Sequence, residues 1–352
     1  MALGKAWRAL APAWLVALSA LPGLLVALPA LPWLAWATHR ASYAALGRDQ
    51  GIFQYEAWAI SHGAVMYRDV RDVNGPLTIL VHTIFQALGG MDEHVFRILD
   101  LLLVFGTAAF AGACLVALDP RGTRARAVGL ALAACAVVGT QYLEYGYWQT
   151  AQRESFFDAF VLVSMGVQMV ATARAHKKND ALFAIAGAMS CITWLGKPTY
   201  ALVTVGQMIA IAIDSPPRVR RLATFLLGGV LGACVPFAFL AARGNVSAWA
   251  RITFHDVPSM YRWIWPRTIA SILAQHREAT LLALAGSFAI LALVSAERMP
   301  RRALPLATLP LAGLASAILQ AKGFPYHFHP VSLGGHLVLV AVAHRAWIEA
   351  ES

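Results

Sequence analysis

Between Gly47 and Gly90 an otherwise apolar chain turns polar, with Asp49, Glu56, Asp69 and Asp72 standing among Arg48, Arg68 and Arg71. Further ionisable groups recur where one apolar stretch gives way to the next. Glu144, Arg153 and Glu154 lie in EYGYWQTAQRE, and Lys197 lies in LGKPTY. His255 and Asp256 follow in TFHDVPSMYRWIWPR, then Lys322, Tyr326, His327 and His329 in QAKGFPYHFHP. A carboxylate among several cations suits a reaction in which a hydroxyl attacks a carbon bearing a phosphate leaving group. The carboxylate takes the proton of the attacking hydroxyl. The cations stabilise charge gathering on the departing phosphate, Arg as a bidentate fork and Lys as a point charge.

The elements that must position these groups are membrane helices. Of 352 residues 59% are hydrophobic and 13% charged, a balance that excludes an ordinary soluble domain. Apolar runs of about 20 residues, enough to cross roughly 30 Å of hydrocarbon as a helix, recur along the chain. Ten spans are expected, at 11–36, 95–118, 126–143, 155–173, 181–195, 199–213, 220–242, 277–296, 303–320 and 331–347. The run 10–37, behind Lys5 and Arg8, is too long for a cleaved leader and reads as a retained first span. The segment 76–89 is apolar but short. If it does not cross, the basic loops RGTRAR (121–126), RAHKK (174–178), RVRR (218–221) and ERMPRR (297–302) all share a side with Lys5 and Arg8. That arrangement satisfies the positive-inside rule, so both termini are expected in the cytoplasm. One membrane domain results, with an outer loop (38–94), a core bundle (95–242) and C-terminal helices (243–352), and no soluble domain.

The net charge of +10 is spread over these short basic loops instead of forming one patch, which argues against nucleic acid as a partner. Cys114, Cys135, Cys191 and Cys234 fall inside apolar runs without CxxC spacing and read as core residues. In the outer loop Asp49 is placed to cap a helix from about Gln50 to Ser61. Its apolar stripe of Phe53, Ala57 and Ile60 opposes Gln54 and Glu56, as in a helix lying on a membrane surface. Pro76 opens a second interfacial helix.

With that topology the polar groups gather on the outer side, and the set suits transfer of a sugar from a lipid phosphate. No P-loop or dinucleotide glycine fingerprint is present, and none is needed for a donor that arrives through the membrane. Each residue also has a plainer role open to it. Asp49 could be a cap alone, Arg153 and Glu154 could pair with each other, and Lys197 could snorkel to the interface. Tyr326, His327 and His329 could belong to an aromatic belt, and Trp249, Trp263 and Trp265 to a belt or an acceptor groove. Arg97 and Asp100, at i and i+3, read as a local ion pair, and Asp158 as support for Glu154 or as packing polarity. The HxH pair lacks a third ligand at diagnostic spacing, so a metal site is not indicated, although a divalent ion would be compatible with the chemistry.

The run DQGIFQYEAWAISHGAVMYRDV, then NGPLTILVHTIFQALGG and the Arg of EHVFRILDLLLV, resembles GT-C glycosyltransferases over about residues 40–240. The nearest likeness is to the bacterial branch related to protein O-mannosyltransferases and lipid A aminoarabinose transferases. QRE (152–154), GKPT (196–199) and KGFPYH (322–327) also look like elements of related membrane transferases. That resemblance implies an all-α membrane fold of about ten spans, with two juxtamembrane helices in the first outer loop. It implies Asp49 as catalytic base acting on a polyprenyl-phosphate sugar, without a required cofactor. Arg153, Lys197, Lys322 and His327 would bind the donor phosphate, supported by Glu154, Asp72, Glu56 and Tyr326. The acceptor would be an envelope glycan, lipid or protein at the outer face of a bacterial inner membrane. Gln50 stands where the family often has a second carboxylate, and Asn74-Gly75-Pro76 where many relatives have Lys-Pro-Pro. A lipid-linked substrate carrier and a non-catalytic scaffold are the alternatives. A carrier would show internal symmetry and broken helices at the membrane midplane.

Overall fold

A computed structural model describes residues 2–120, 122–173, 179–214, 217–260 and 263–351, with 2–19 as backbone alone. The basic loop 174–178, Arg121 and the side chains of Lys5 and Arg8 lie outside the described residues. The helices run in the order α1 (Ala2–Ser42), α2 (Arg48–Ser61), α3 (Pro76–Gly89), α4 (Glu93–Cys114), α5 (Arg124–Glu144), α6 (Arg153–Ala173), α7 (Asp180–Cys191) and α8 (Ala201–Ile213). They continue as α9 (Arg218–Arg243), α10 (Val246–Arg251), α11 (Val257–Ser259), α12 (Ile269–Gln275), α13 (Arg277–Ser295), α14 (Leu304–Gln320) and α15 (His329–Ala350). Among the described residues no strand occurs.

Eight of these helical segments are long and apolar enough to cross a membrane, which makes the chain a multi-pass membrane protein. They begin with Ala20–Ser42 and Glu93–Leu118 and end with Pro325–Ala350. The expected spans 181–195 and 199–213 exist as apolar helices, Asp180–Leu195 and Pro198–Ile213, but each is shorter than an ordinary crossing, as is Pro76–Gly89. The two meet at a break around Gly196–Lys197, flanked by 3₁₀ turns at Ile192–Leu195 and Pro198–Tyr200.

Local chemistry sets the helix starts. Asp92 caps α4 by accepting from the backbone N–H of His94 (2.8 Å) and Val95 (3.1 Å). Pro76 occupies the first turn of α3, where its missing N–H costs nothing. Small residues let helices approach closely, as expected where lipid gives no hydrophobic drive to association. Gly228 and Gly232 of α9 lie against the backbone carbonyls of Ala184 and Ala188 on α7, so a Cβ at either glycine would collide with main chain. Deeper in the bundle, the Gln207 amide donates to Ser164 Oγ (2.8 Å) and Gln168 Oε1 (3.0 Å), joining α8 to α6.

Arg97 organises the end of the bundle that carries the 43–92 connection, called here the loop end. It is 2% exposed. It does not form the expected local pair with Asp100. Its guanidinium donates instead to the carbonyls of Ala44 (3.3 Å), Ala45 (2.7 Å) and Tyr147 (3.1 Å) and to Thr150 Oγ1 (3.3 Å). Asp100 accepts from the Tyr142 hydroxyl at 2.8 Å. Gln50 adds to the lacing, its amide donating to the carbonyls of Thr150 (2.6 Å) and Tyr147 (3.2 Å). These bonds fasten the start of α2 to the α5–α6 connection.

The close approach of α7 and α9 is testable. Gly228→Ala and Gly232→Ala are expected to destabilise the protein in lipid nanodiscs by about 1–3 kcal/mol each, read as a lower unfolding temperature. Gly106→Ala, which meets open space, leaves that temperature unchanged or higher.

Candidate active site at the loop end of the bundle

The first turn of α6 carries the centre of the site. The connection before it turns sharply, with Gly146 and then Ala151 at positive φ (72° and 52°). A left-handed alanine is strained, and the Tyr142 hydroxyl holds it by accepting the Ala151 N–H at 2.6 Å. This turn delivers Gln152, Arg153 and Glu154, all buried, into the bundle.

Glu154 is 1% exposed, and opposite charge surrounds it. Its Oε1 accepts from Lys197 Nζ and lies 3.3 Å from Arg153 Nε and 3.9 Å from His327 Nε2. Lys197 therefore turns inward instead of snorkelling. Its turn is fixed because the Thr193 carbonyl accepts from both Gly196 N and Lys197 N at 2.9 Å. Gly196 packs against the Phe157 ring, and its own carbonyl accepts from Gly75 N at 3.1 Å. That last bond ties the start of α3 directly to the lysine turn. Burial pushes the Lys197 ammonium down to about 8, against the pull of Glu154.

Around this cluster the Arg153 guanidinium lies over the Tyr326 ring (5.5 Å), and Tyr326 packs edge-on to His327 (4.8 Å). The Tyr200 hydroxyl donates to Asp158 Oδ1 (2.7 Å) and approaches the Glu154 carbonyl at 3.3 Å. Asp158 thus supports the first turn of α6 through Tyr200. Glu154 Oε2, Asp158 Oδ2, both His327 ring nitrogens and the Gln149 and Gln152 side-chain oxygens are buried without a hydrogen-bond partner among the described residues. Orphaned polar atoms gathered in one place are the signature of a site meant for something polar.

A cleft of about 460 Å³ opens in front of this cluster. Asp49, Asp72, Gln149, Gln152, Arg153 and Tyr326 line it, with Trp148, Trp265 and Phe324 supplying apolar walls. Asp49 does not cap α2. The helix starts one residue earlier, at Arg48, and Gly47 stands at the cap position without a side-chain bond. The Asp49 carboxylate sits in the first turn, partly exposed, 3.5 Å from its neighbour Arg48. Gln54 and Glu56, expected on the solvated face of α2, are buried, while Ile52, Tyr55 and Trp58 are exposed. Gln54 Oε1 accepts from Gln86 of α3 (2.6 Å), and Glu56 faces Asp72.

Burial, with Asp72 as an adjacent carboxyl, pushes Glu56 up to about 8. Asp72 in turn accepts from the Asn74 side-chain amide at 2.7 and 2.9 Å. Tyr67, at φ 68°, closes this loop by donating to the Asn74 carbonyl at 2.5 Å.

Other expected residues lie elsewhere. Lys322 is buried and donates to the carbonyl of Ile264, steadying the segment that carries Trp265 at the cleft. Asp256 pairs with Arg71 (2.6 Å) and His255 (3.0 Å), away from Glu154. Glu144 lines a different cavity. Tyr200, Trp148 and Gln152 join the site without having been singled out in the sequence, though all three sit inside the quoted EYGYWQTAQRE and LGKPTY motifs. Among the described residues no group of three or more His, Cys, Asp or Glu is arranged to hold a metal ion. The arrangement can therefore place a polar substrate between a partly exposed carboxylate on one wall and buried cations on the other. No family model, curated protein or solved structure matches the chain.

The carboxyl pair has a pH signature. The folded protein keeps the Glu56 proton up to about pH 8, whereas the unfolded chain releases it near its ordinary value of 4.5. The folded state binds more protons in between, so this group's stabilisation is lost as pH rises from 4.5 to about 8. Glu56→Gln should flatten that part of a stability–pH profile and leave the variant more stable than the wild type above that window.

Proposed function

We propose that the protein is a GT-C-type glycosyltransferase that moves a sugar from a polyprenyl-phosphate carrier to an envelope glycan, lipid or protein. The observation that carries this reading is the cleft. It brings Asp49, from α2, to the same space as Arg153, whose sequence neighbour Glu154 gathers Lys197 and His327 from two other parts of the chain.

In this reading the loop end is the outer face of a bacterial inner membrane, and both termini are cytoplasmic. The short helices α7 and α8 complete about ten spans, and α2 and α3 lie in the interface. The exposed Ile52, Tyr55 and Trp58 of α2 support that placement, because they present an apolar face where lipid would be. The donor phosphate sits against Arg153, with Lys197 and His327 behind it and Glu154 holding those groups in place. Lys322 contributes by fixing the 264–265 wall. An acceptor hydroxyl oxygen bonds to the anomeric carbon as the bond from that carbon to the phosphate oxygen breaks. Its proton goes to Asp49, and the electron pair of the broken bond leaves on the phosphate. Attack opposite the leaving group inverts the anomeric centre. No cofactor is needed. The mid-bundle polar residues Ser164, Gln168 and Gln207 are hydrogen-bonded to one another, which supports a packing role over a carrier's central site.

The test is release of free polyprenyl phosphate by the purified protein in nanodiscs, from a panel of polyprenyl-phosphate sugars. Asp49→Asn and Asp49→Ala should each lower turnover by about 10²–10⁴-fold while donor binding is kept. Unchanged turnover in Asp49→Asn rejects Asp49 as base. Movement of labelled lipid across the bilayer, with no turnover of any donor, favours the carrier.

A further inference from the structure

A second cavity, of about 530 Å³, lies at the same end of the bundle, where α5 ends, α13 begins and α15 forms the floor. It shares no lining residue with the cleft. The 326–329 turn stands between them, with Tyr326 lining the cleft and Ser332, one turn further on, lining the cavity. Both flanks are braced by rings. His276 stacks on Phe328 at 4.0 Å, and Tyr145 stacks on His329 at 4.4 Å.

Gln141 sets the chemistry. It lines the cavity and is 7% exposed, and neither its amide nitrogen nor its amide oxygen has a partner among the described residues. A buried amide left unmatched on both sides is costly, so its partner is something that enters the cavity. Above it Glu144 and Glu278 reach the rim, exposed and without an ion pair among the described residues, beside Arg277. His336 donates through Nδ1 to the Ser332 carbonyl (2.7 Å), which in the neutral ring leaves Nε2 as an acceptor.

These groups discriminate between ligand classes. Glu144 and Glu278 outweigh the single charge of Arg277 at the rim, which disfavours an anion. A simple ammonium would satisfy the carboxylates but leave the Gln141 N–H groups unmatched. A hydroxyl both donates and accepts, so one hydroxyl can meet the Gln141 amide while its neighbours donate to Glu144, Glu278 or His336. We infer that this cavity is a saccharide-binding site, distinct from the cleft, that reads a hydroxyl-rich headgroup through Gln141, Glu144, Glu278 and His336. The inference does not depend on the transferase reading. The saccharide can come from a glycolipid headgroup or from a free glycan.

The protein in phospholipid-only nanodiscs is titrated with radiolabelled n-octyl β-glucoside and n-octyl β-galactoside, with n-octanol and n-octylamine as controls. At least one glycoside should bind saturably and more tightly than either control. Gln141→Leu, and separately the double variant Glu144→Ala/Glu278→Ala, should each weaken it by about tenfold or more, because each removes groups that hydrogen-bond the hydroxyls. Equal unfolding temperatures of variants and wild type establish that the loss is local, and the rim double variant, being exposed, answers for the site if Gln141→Leu unfolds. Competition by methyl β-glucoside assigns the site to free saccharide, and its failure to compete assigns it to a lipid-anchored headgroup. Octanol or octylamine binding as tightly as the glycosides overturns the inference. So does unchanged affinity in folded variants, or no saturable binding of either glycoside, which leaves Gln141 bound to water alone.

Discussion

A carboxylate buried in the first turn of a membrane helix stays charged only if opposite charge reaches it. Glu154 is met by the charges of Lys197 from the α7–α8 break and Arg153 beside it, with the buried His327 ring from the turn before α15 at 3.9 Å. Removing one partner of such a cluster would leave an unmatched buried charge, a cost of several kcal/mol on the order of 3–5. The cluster therefore constrains four parts of the chain at once. The α7–α8 break has to stay open at Gly196–Lys197, α3 has to dock there through Gly75, and the 325–329 turn has to fold inward. The left-handed Ala151 that starts α6 is the strain accepted to make this possible.

The second constraint is Arg97, which satisfies its charge with backbone carbonyls in place of a carboxylate. Because those carbonyls belong to the segments before α2 and before α6, the arginine aligns the two walls of the cleft. Gln50 repeats the device on the carbonyls of Tyr147 and Thr150. Where a second carboxylate would add repulsion beside Asp49, an amide fastens the helix that carries Asp49.

Much of the bundle was legible from hydropathy, because a long apolar run in this composition has no other stable form. The short helices α7 and α8 were legible in extent, at 181–195 and 199–213, but the 3₁₀ turns at their junction were not, since those depend on Thr193 and Pro198 in three dimensions. The gathering of Arg153, Glu154, Lys197, Tyr326 and His327 followed from one idea, that polar groups at the ends of spans on one side share a space. Side-chain partners were less legible. Asp49 as a cap failed by one residue, because Gly47 took the extended cap position. Burial of Gln54 and Glu56 was hidden because α2 buries them alongside its expected apolar stripe of Phe53, Ala57 and Ile60, while Ile52, Tyr55 and Trp58 stay exposed. Arg97 and Asp100 suit a local pair by spacing, yet each found a partner far along the chain, in carbonyls and in Tyr142.

The most direct measurement is an experimental structure of the protein in nanodiscs with a bound polyprenyl-phosphate sugar. The account predicts the phosphate in the cleft against Arg153, with the sugar on the Asp49 side and the prenyl chain leaving along the apolar wall. Phosphate density near Gln168 and Gln207 in the middle of the bundle, or no donor in the cleft at saturating concentration, would contradict it.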